Sequence, residues 1–266
     1  MSIKTDIKAL KNFEKLSARA RQNLEKRLGK LNLLTPDFAN AKTAKNQGLG
    51  FQSVILHLSP SNLSGFNICP AASTGCRAAC LNTAGRGRFD SIQLARLRKT
   101  LFFVKLRDQF LRQLDSEIFR LRQRAAKIGQ SAVVRLNGTS DLQWELFKID
   151  GLTLFQRHVN VQFYDYTKLI HRLKRPLPFN YHLTFSRSET NAAAAETALE
   201  LGFNVATVFD VVPETYAGRP VISGDKTDLR FLDAPGVIVG LTAKGKAKRD
   251  FSGFVIRNVV TYATAA

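Results

Sequence analysis

The stretch Ala132-Val-Val-Arg-Leu-Asn-Gly-Thr-Ser-Asp141 carries the pattern on which our fold prediction rests. Four of its first five residues are apolar and two of these are β-branched valines, which is typical of a buried strand, and the polar run after them is typical of a loop. The same alternation recurs along the chain. We predict further strands at residues 53–58, 159–164, 181–185, 204–209, 220–223 and 237–241, with a candidate last strand at 254–260.

Helical patterns lie between these strands. Apolar residues at steps of three and four predict a long helix from Ser91 to Lys127, and a second helix from Asn191 to Leu201 that Gly202 ends. Strands that alternate with helices favour right-handed βαβ units and a parallel sheet, either open or closed. We therefore predict an α/β fold, a full or partial TIM-like (β/α) barrel.

The N-terminal region has a different character. Residues 1–30 are rich in lysine and arginine, and their apolar residues recur at helical spacing, so we predict a basic amphipathic helix that Gly29 ends. The stretch through Gly50 is typical of a linker. We predict two parts, residues 1–50 as basic helix and linker, and residues 51–266 as one barrel domain with a cysteine-loop metal site.

Composition limits the class of protein. The 266 residues include 40 Lys+Arg and 21 Asp+Glu, a formal charge of +19, while 44% are apolar. That apolar content argues against disorder. No run approaches 18 apolar residues and the N-terminus lacks a signal-peptide core, so we expect a soluble intracellular protein without a membrane partner. The charge suggests a polyanionic partner, most often nucleic acid.

The chain has only three cysteines, and Cys69, Cys76 and Cys80 all lie in one twelve-residue window. A helix starting near Arg77 would lower the thiolate pKa values of Cys76 and Cys80 through its dipole. Three thiolates are one short of a closed zinc site. They suit an iron–sulfur cluster, of which the 4Fe–4S type is favoured, that leaves one iron open. Zinc completed by His57 or a carboxylate, and inert buried thiols, stay open as alternatives.

Polar residues follow nearly every predicted strand, where the chemistry of parallel α/β folds is found. No Ser-His-Asp or Cys-His arrangement is recognisable in the sequence, so aspartate and lysine are the general-base candidates. We predict that Asp141, Lys168 and Arg187 are catalytic. Further predicted pocket residues are Arg135, Asn137 and Asp210.

Basic residues concentrate in three places: the N-terminal helix, the segment after Cys80, and a late run beginning at Lys244. Solvated helix faces are the ordinary explanation of one such run, but three of them favour binding to a phosphate backbone. We predict nucleic-acid contacts by Arg86, Arg88, Arg96, Lys99, Lys244 and Lys246.

The run from Leu58 to Arg88, which contains all three cysteines, resembles the bacteriophage "gene product 88" family. The segments Val134–Asp141 and Phe163–Lys168 resemble it too, so that the similarity covers roughly residues 50–255. This resemblance implies a phage origin, and hence the host cytoplasm, together with a cysteine-bound metal cofactor.

A wider similarity is to radical S-adenosylmethionine enzymes, which also place a three-cysteine loop after the first strand of a partial barrel. Their usual cysteine spacing differs from the one found here. In that superfamily the loop corresponding to Gly138-Thr-Ser-Asp141 binds the methionyl amine. The similarity implies S-adenosylmethionine as a further cofactor, with Asn137, Gly138, Ser140 and Tyr166 as its binding residues.

Two functional hypotheses follow. The first is an iron–sulfur enzyme of the barrel class that acts on nucleic acid or a nucleotide. The second is a non-enzymatic nucleic-acid-binding protein whose cluster, or zinc, is structural or redox-sensing. The sequence leaves the substrate, the choice between DNA and RNA, the fourth ligand and the oligomeric state open.

Overall fold

The computed structural model describes residues 2–36 and 45–259. Its strands, in chain order, are β1 (Leu34–Pro36), β2 (Phe51–Leu56), β3 (Ser131–Arg135), β4 (Lys148–Ile149), β5 (Leu152–Thr153), β6 (Gln162–Thr167), β7 (Tyr181–Ser186), β8 (Val205–Phe209), β9 (Thr215–Tyr216), β10 (Arg219–Ser223), β11 (Ile238–Thr242) and β12 (Val255–Ile256). Part of the predicted linker, residues 37–44, and the last residue of the strand predicted at 254–260 lie outside the described residues.

The helices pack against a large sheet. They are α1 (Ile3–Lys11), α2 (Ala18–Leu28), α3 (Thr74–Ala78), α4 (Asp90–Lys105), α5 (Arg107–Lys127), α6 (Leu154–Arg157), α7 (Ile170–Leu173) and α8 (Ala192–Glu200). Short 3-10 turns lie at Phe13–Lys15, Lys45–Leu49, Leu81–Thr83, Gly85–Arg88, Trp144–Leu146, Arg230–Leu232 and Gly245–Arg249. None of the helices in the described ranges combines the length and apolar character needed to cross a membrane.

Ten strands form one mostly parallel sheet in the order β1-β2-β3-β6-β7-β8-β11-β10-β9, with β12 paired to β8, while β4 and β5 form a separate hairpin. All neighbours from β2 to β10 run parallel, whereas β1 and β9 are antiparallel edge strands. The prediction of an α/β fold with a parallel sheet is confirmed.

The closed form of the predicted barrel is not found. In the described part of the chain β1 occupies the outer edge of β2 and β9 occupies the outer edge of β10, so the two ends of the sheet do not pair. Strand and helix periodicity specify neighbours along the chain, but closure depends on the shear and tilt of the whole sheet. The alternation in the sequence therefore could not decide between an open sheet and a barrel.

Alternate residues of the strands face two different layers. In β3, Ala132 and Val134 pack in the main core with α4 and α5. Val133, between them, points to the other face and packs with Tyr164 and Leu229. The second face is thus covered by the chain segment that follows β10, and both faces of the sheet are buried as parallel sheets require.

The long predicted helix at 91–127 is two helices, because Leu106 leaves the helical conformation between α4 and α5, with φ −138° and ψ 53°. Apolar residues keep their helical spacing across this break, which is why the periodicity did not reveal it. The N-terminal helix is likewise divided, into α1 and α2.

The N-terminal segment is bound to the helix layer. Both carboxylate oxygens of Glu117 on α5 accept hydrogen bonds, from the backbone N–H groups of Leu33 and Leu34, each over 2.8 Å. Asp6 on α1 pairs with Arg98 on α4 across 3.2 Å. These contacts fix β1 for pairing with β2.

Candidate metal and anion site

The carboxyl ends of β2, β3, β6 and β7 carry loops that meet at one edge of the sheet. The cysteine loop follows β2. The thiol of Cys69 accepts a hydrogen bond from Ser61 N over 3.3 Å and donates one to the carbonyl of Thr139, in the loop after β3, over 3.6 Å. The sulfur of Cys69 therefore joins two neighbouring strand-end loops.

All three cysteines are free thiols and lie close enough to affect one another's ionisation. Burial raises the pKa of Cys69 to about 12, and the charges of Cys80, Asp141 and Cys76 act in the same direction. Burial also raises the pKa of Cys80. Because removal from water disfavours the charged form, the thiols of Cys69 and Cys80 are protonated at neutral pH.

Cys76 lies within α3 and not before it, and the side chain of Ser73, the N-cap, accepts a hydrogen bond from Cys76 N over 3.1 Å. Our expectation that a helix dipole would lower the thiolate pKa of Cys80 is wrong. The helix ends at Ala78, so Cys80 follows its C-terminal end, where the dipole does not favour a thiolate, and burial raises the pKa of this thiol.

A carboxylate from the loop after β7 holds α3 in place. Glu189 accepts hydrogen bonds from Gly75 N over 2.6 Å and from the hydroxyl of Ser73 over 2.8 Å. A Cβ atom on Gly75 would lie 2.8 Å from Glu189 Oε1 and would overlap the hydroxyl of Ser252. The helix that carries Cys76 is therefore clamped between two other loops.

Two cations face Cys80. Both Arg96 and Lys168 lower the pKa of this thiol, although less than burial raises it. Arg96 also donates a hydrogen bond to the side chain of Asn82, and Lys168 Nζ donates one to Ser186 Oγ over 2.6 Å. The thiol of Cys80 thus lies beside fixed positive charge.

Basic segments that are distant in sequence meet next to the cysteine loop. The 3-10 turn Leu81–Thr83 contacts the 3-10 turn Gly245–Arg249, which brings the segment after Cys80 close to the late basic run. We define the cationic rim as the exposed side chains Arg86, Arg88, Lys246 and Lys248.

No three His, Cys, Asp or Glu side chains within residues 2–36 and 45–259 are arranged so that they could hold a metal ion. The three cysteines lie at one edge of the sheet but do not form such a group.

The model of the family described as Gene product 88 matches residues 28–258. The chain belongs to the gene product 88 family. The match includes the cysteine loop and every strand of the main sheet. The family resemblance predicted from the cysteine loop is confirmed. No curated protein and no solved structure matches the chain.

In this gene product 88 protein the predicted cofactor residues Asn137, Gly138 and Ser140 form an internally bonded loop. Asn137 Oδ1 accepts hydrogen bonds from Ser140 Oγ, Leu142 N and Trp144 Nε1. A Cβ atom on Gly138 would lie 2.5 Å from Ile55 and 2.7 Å from the carbonyl of Leu56. These groups support the loop that meets Cys69.

The predicted catalytic residues Asp141, Lys168 and Arg187 lie at the same edge and all have partners. Asp141 accepts hydrogen bonds from Lys168 N over 2.8 Å and from Arg172 over 3.3 Å, and burial raises its pKa. Arg187 donates to the carbonyl of Gly253 over 3.0 Å. Lys168 has its ammonium beside Cys80, so it is the member of this set that acts on a cysteine.

Tyr166 lies on the face of the sheet opposite the helices. Its ring is 4.6 Å from the guanidinium of Arg135, which pairs with Asp228 across 3.1 Å. Tyr164 donates a hydrogen bond to the same carboxylate over 2.7 Å. The predicted pocket residue Arg135 and the predicted cofactor residue Tyr166 therefore belong to one buried charged layer beneath the strand ends.

The predicted nucleic-acid contacts divide into two groups. Arg86, Arg88 and Lys246 are exposed in the cationic rim. Lys99, by contrast, donates a hydrogen bond to the carbonyl of Leu33 over 2.6 Å, and burial lowers its pKa to about 8. Lys244 pairs with Asp225 across 2.6 Å. Arg96 faces Cys80, so Lys99 and Arg96 are engaged within the fold, while Lys244 stays exposed beside Asp225.

Three side chains that hold these loops and the layer beneath them in place are not among the predicted site residues: Glu189, Arg172 and Asp228. Glu189 follows a predicted strand end, which was a usable signal. Arg172 is fully buried and pairs with Glu145 across 2.8 Å as well as with Asp141. Neither Arg172 nor Asp228 lies in a motif, and their partners are distant in sequence.

Proposed function

We propose that this gene product 88 protein binds an iron–sulfur cluster of the 4Fe–4S type through Cys69, Cys76 and Cys80. The observation that carries the proposal is the convergence of three free, partly buried thiols from one loop, beside Arg96 and Lys168. In this proposal the successive parallel strands act as a partial TIM-like barrel, with the cluster at its carboxyl edge.

The number of thiols favours a cluster over zinc. A zinc ion needs its sulfur ligands around one point, about 2.3 Å from each. In a multi-iron cluster each thiolate binds a different iron, so the sulfurs stand further apart. Three thiolates are one ligand short of a closed zinc site, whereas three suffice for a cluster that leaves one iron open.

The surrounding residues have definite tasks in this proposal. The positive charges of Lys168 and Arg96 offset the negative charge that three thiolates bring, while Glu189 holds α3 and so orients Cys76. Because burial raises the pKa values of Cys69 and Cys80, loading releases protons and is favoured by higher pH. When bound, the cluster supplies one-electron chemistry and an iron open to an outside ligand.

We infer that the partner is nucleic acid in the host cytoplasm, held by the cationic rim. The net charge of +19 and the meeting of two basic segments beside the cysteines support this inference. Binding through phosphates would be steeply salt-dependent and largely independent of sequence.

Anaerobic reconstitution with iron and sulfide tests the cluster. We expect about four irons and four sulfides per chain, the content of this cluster, and visible absorption that bleaches on reduction. Each of the variants Cys69→Ser, Cys76→Ser and Cys80→Ser should lose this absorption. The control variant Asn62→Ala, which replaces an exposed residue of the same loop, should keep it. A colourless protein with one zinc per chain and no iron would overturn the proposal.

A second experiment separates the enzyme from the binder. The reduced, loaded protein is incubated with S-adenosylmethionine, and methionine release is measured by mass spectrometry. Reductive cleavage that is lost in Asp141→Ala and Lys168→Ala supports an enzyme with S-adenosylmethionine as cofactor. Unchanged DNA binding in both variants, without turnover, supports a nucleic-acid-binding protein with a structural or redox-sensing cluster.

The rim is tested by a salt series on DNA affinity. Replacing Arg86, Arg88 and Lys246 by alanine should reduce the salt slope by about 0.9 for each phosphate that the protein no longer neutralises. Lys127→Ala, at the end of α5, is the matched control. A shallow slope in the wild-type protein would show that the charge serves solubility only.

A further inference from the structure

A groove of about 610 Å³ lies on the helix layer, between α5 and the segment formed by β5 and α6. These elements carry none of the residues of the cysteine site. The groove lining includes Asp115, Phe119, Arg120, Arg122, Leu152 and Arg157. It therefore offers a surface whose use is independent of the proposed cluster.

Apolar side chains in the groove are left outside the core. The buried stripe of α5 includes Leu114, Ile118 and Leu121, and Phe119 lies off this stripe with 46% of its surface exposed. Leu152, from β5, is also 46% exposed. Together they form an apolar patch that the fold itself does not use.

Positive charge surrounds this patch. Arg120 is exposed and Arg122 half-buried, both lining the groove. The one carboxylate among the described lining residues, Asp115, is balanced by Arg157, whose Nε and Nη2 atoms donate hydrogen bonds to it over 2.9 and 3.0 Å. The groove therefore keeps an excess of positive charge beside apolar surface.

We propose that this groove docks an acidic amphipathic segment of a partner protein, with its apolar side chains on Phe119 and Leu152 and its carboxylates on Arg120 and Arg122. Guanidinium groups match carboxylates in fork geometry, and apolar anchors in a helix-binding groove supply the remaining affinity. The charge of the groove is complementary to such a segment.

The contacts favour a protein over a nucleic acid. Arg122 lies over the ring of Phe119, 5.1 Å from its centroid, so one face of the aromatic ring is already covered and is closed to a stacking base. Leu152 adds exposed aliphatic surface, which binds an apolar side chain more favourably than a phosphate backbone.

The test uses the full chain and a fluorescein-labelled synthetic peptide of about four helical turns, with leucine on one face and glutamate on the other. The same peptide with lysine for glutamate, and a labelled oligothymidine, are the comparison probes. Anisotropy is measured for the wild-type protein, for Phe119→Ser, for Arg120→Glu and for Arg124→Glu. Arg124 is exposed on the same helix but does not line the groove, so its variant is the matched charge control.

We expect Phe119→Ser and Arg120→Glu each to weaken binding of the acidic peptide about tenfold or more, as removal of an anchor does, and Arg124→Glu to change it less than about twofold. Circular dichroism establishes that each variant is folded. Equal binding by all variants, or equal binding of the lysine peptide, would overturn the proposal. If Phe119→Ser loses binding of the oligothymidine but keeps binding of the acidic peptide, the groove binds nucleic acid and the proposal is overturned.

Discussion

Asp165 links β6 and β7 to the loop that meets Cys69. Its carboxylate accepts hydrogen bonds from Asn137 N over 2.6 Å and from the hydroxyl of Tyr181 over 2.9 Å. Burial raises its pKa from 3.8 to about 7. Asp165 is therefore a buried group that titrates close to neutral pH.

The pH dependence of stability follows from this shift. An acid with a raised pKa stabilises the fold fully below its unfolded pKa, and this contribution is lost as the pH rises to the folded value. Between about pH 4 and pH 7.5 the free energy of unfolding should fall by up to about 4 kcal/mol more in the wild-type protein than in Asp165→Asn. Urea unfolding of both proteins at several pH values measures the difference, and parallel profiles would contradict it.

Gly138 gives a second prediction at the scale of a residue. A side chain here would press on the backbone carbonyl of Leu56 and on Ile55, neither of which can move freely. Gly138→Ala should lower the free energy of unfolding by about 1–3 kcal/mol, the usual cost of overpacking. Gly48→Ala is the control, since nothing lies within 4 Å of the added carbon. Equal stability of the two variants would show that the strand ends can separate.

At the scale of an element, α3 is too short to be stable alone and depends on its neighbours. Glu189 provides the acceptor for Gly75 N and for the hydroxyl of Ser73. Without that carboxylate the helix that carries Cys76 would open more often.

This dependence predicts a local change in thiol reactivity. Glu189→Ala should increase the rate of Cys76 alkylation by iodoacetamide several-fold, because opening of α3 exposes the sulfur, while the rate at Cys69 stays unchanged. Glu189→Gln keeps a side-chain oxygen for Gly75 N. Its rate of Cys76 alkylation should therefore lie between the rates of the wild-type protein and of Glu189→Ala. Peptide mass spectrometry gives each rate. Equal acceleration at all three cysteines would point to global destabilisation and not to release of α3.

At the scale of the whole molecule, 40 basic residues against 21 acidic ones produce mutual repulsion in the folded state. Ion pairs offset part of this charge, but exposed pairs such as Arg112–Asp150 contribute little. The compact chain is therefore destabilised by its own net charge.

Salt should consequently stabilise this protein. Raising NaCl from about 20 mM to about 300 mM shortens the range of charge repulsion to below about 10 Å, and Tm should rise by a few degrees. Differential scanning calorimetry measures the effect, with choline chloride to exclude specific cation binding. A fall in Tm would show that the ion pairs outweigh the repulsion.

The sequence by itself determined the features that depend on near neighbours in the chain. Six of the seven main strands lie close to their predicted positions, because a strand buried on both faces shows as a short apolar run of consecutive residues such as 132–136. The strand predicted at 159–164 is displaced to Gln162–Thr167, since Asp165 and Thr167 are polar residues buried in it. The cysteine loop was recognisable because its three cysteines lie within twelve consecutive residues.

Only the tertiary structure decided what joins distant segments. The order of the strands in the sheet, the pairing of Arg135 with Asp228, the clamp of Glu189 on α3 and the meeting of two basic segments all bring together residues far apart in the chain. Such contacts leave no periodic trace, because each depends on where whole strands and loops are placed in space. The physical reason is that periodicity records which face of an element is buried, whereas packing of the complete sheet selects the partner on that face.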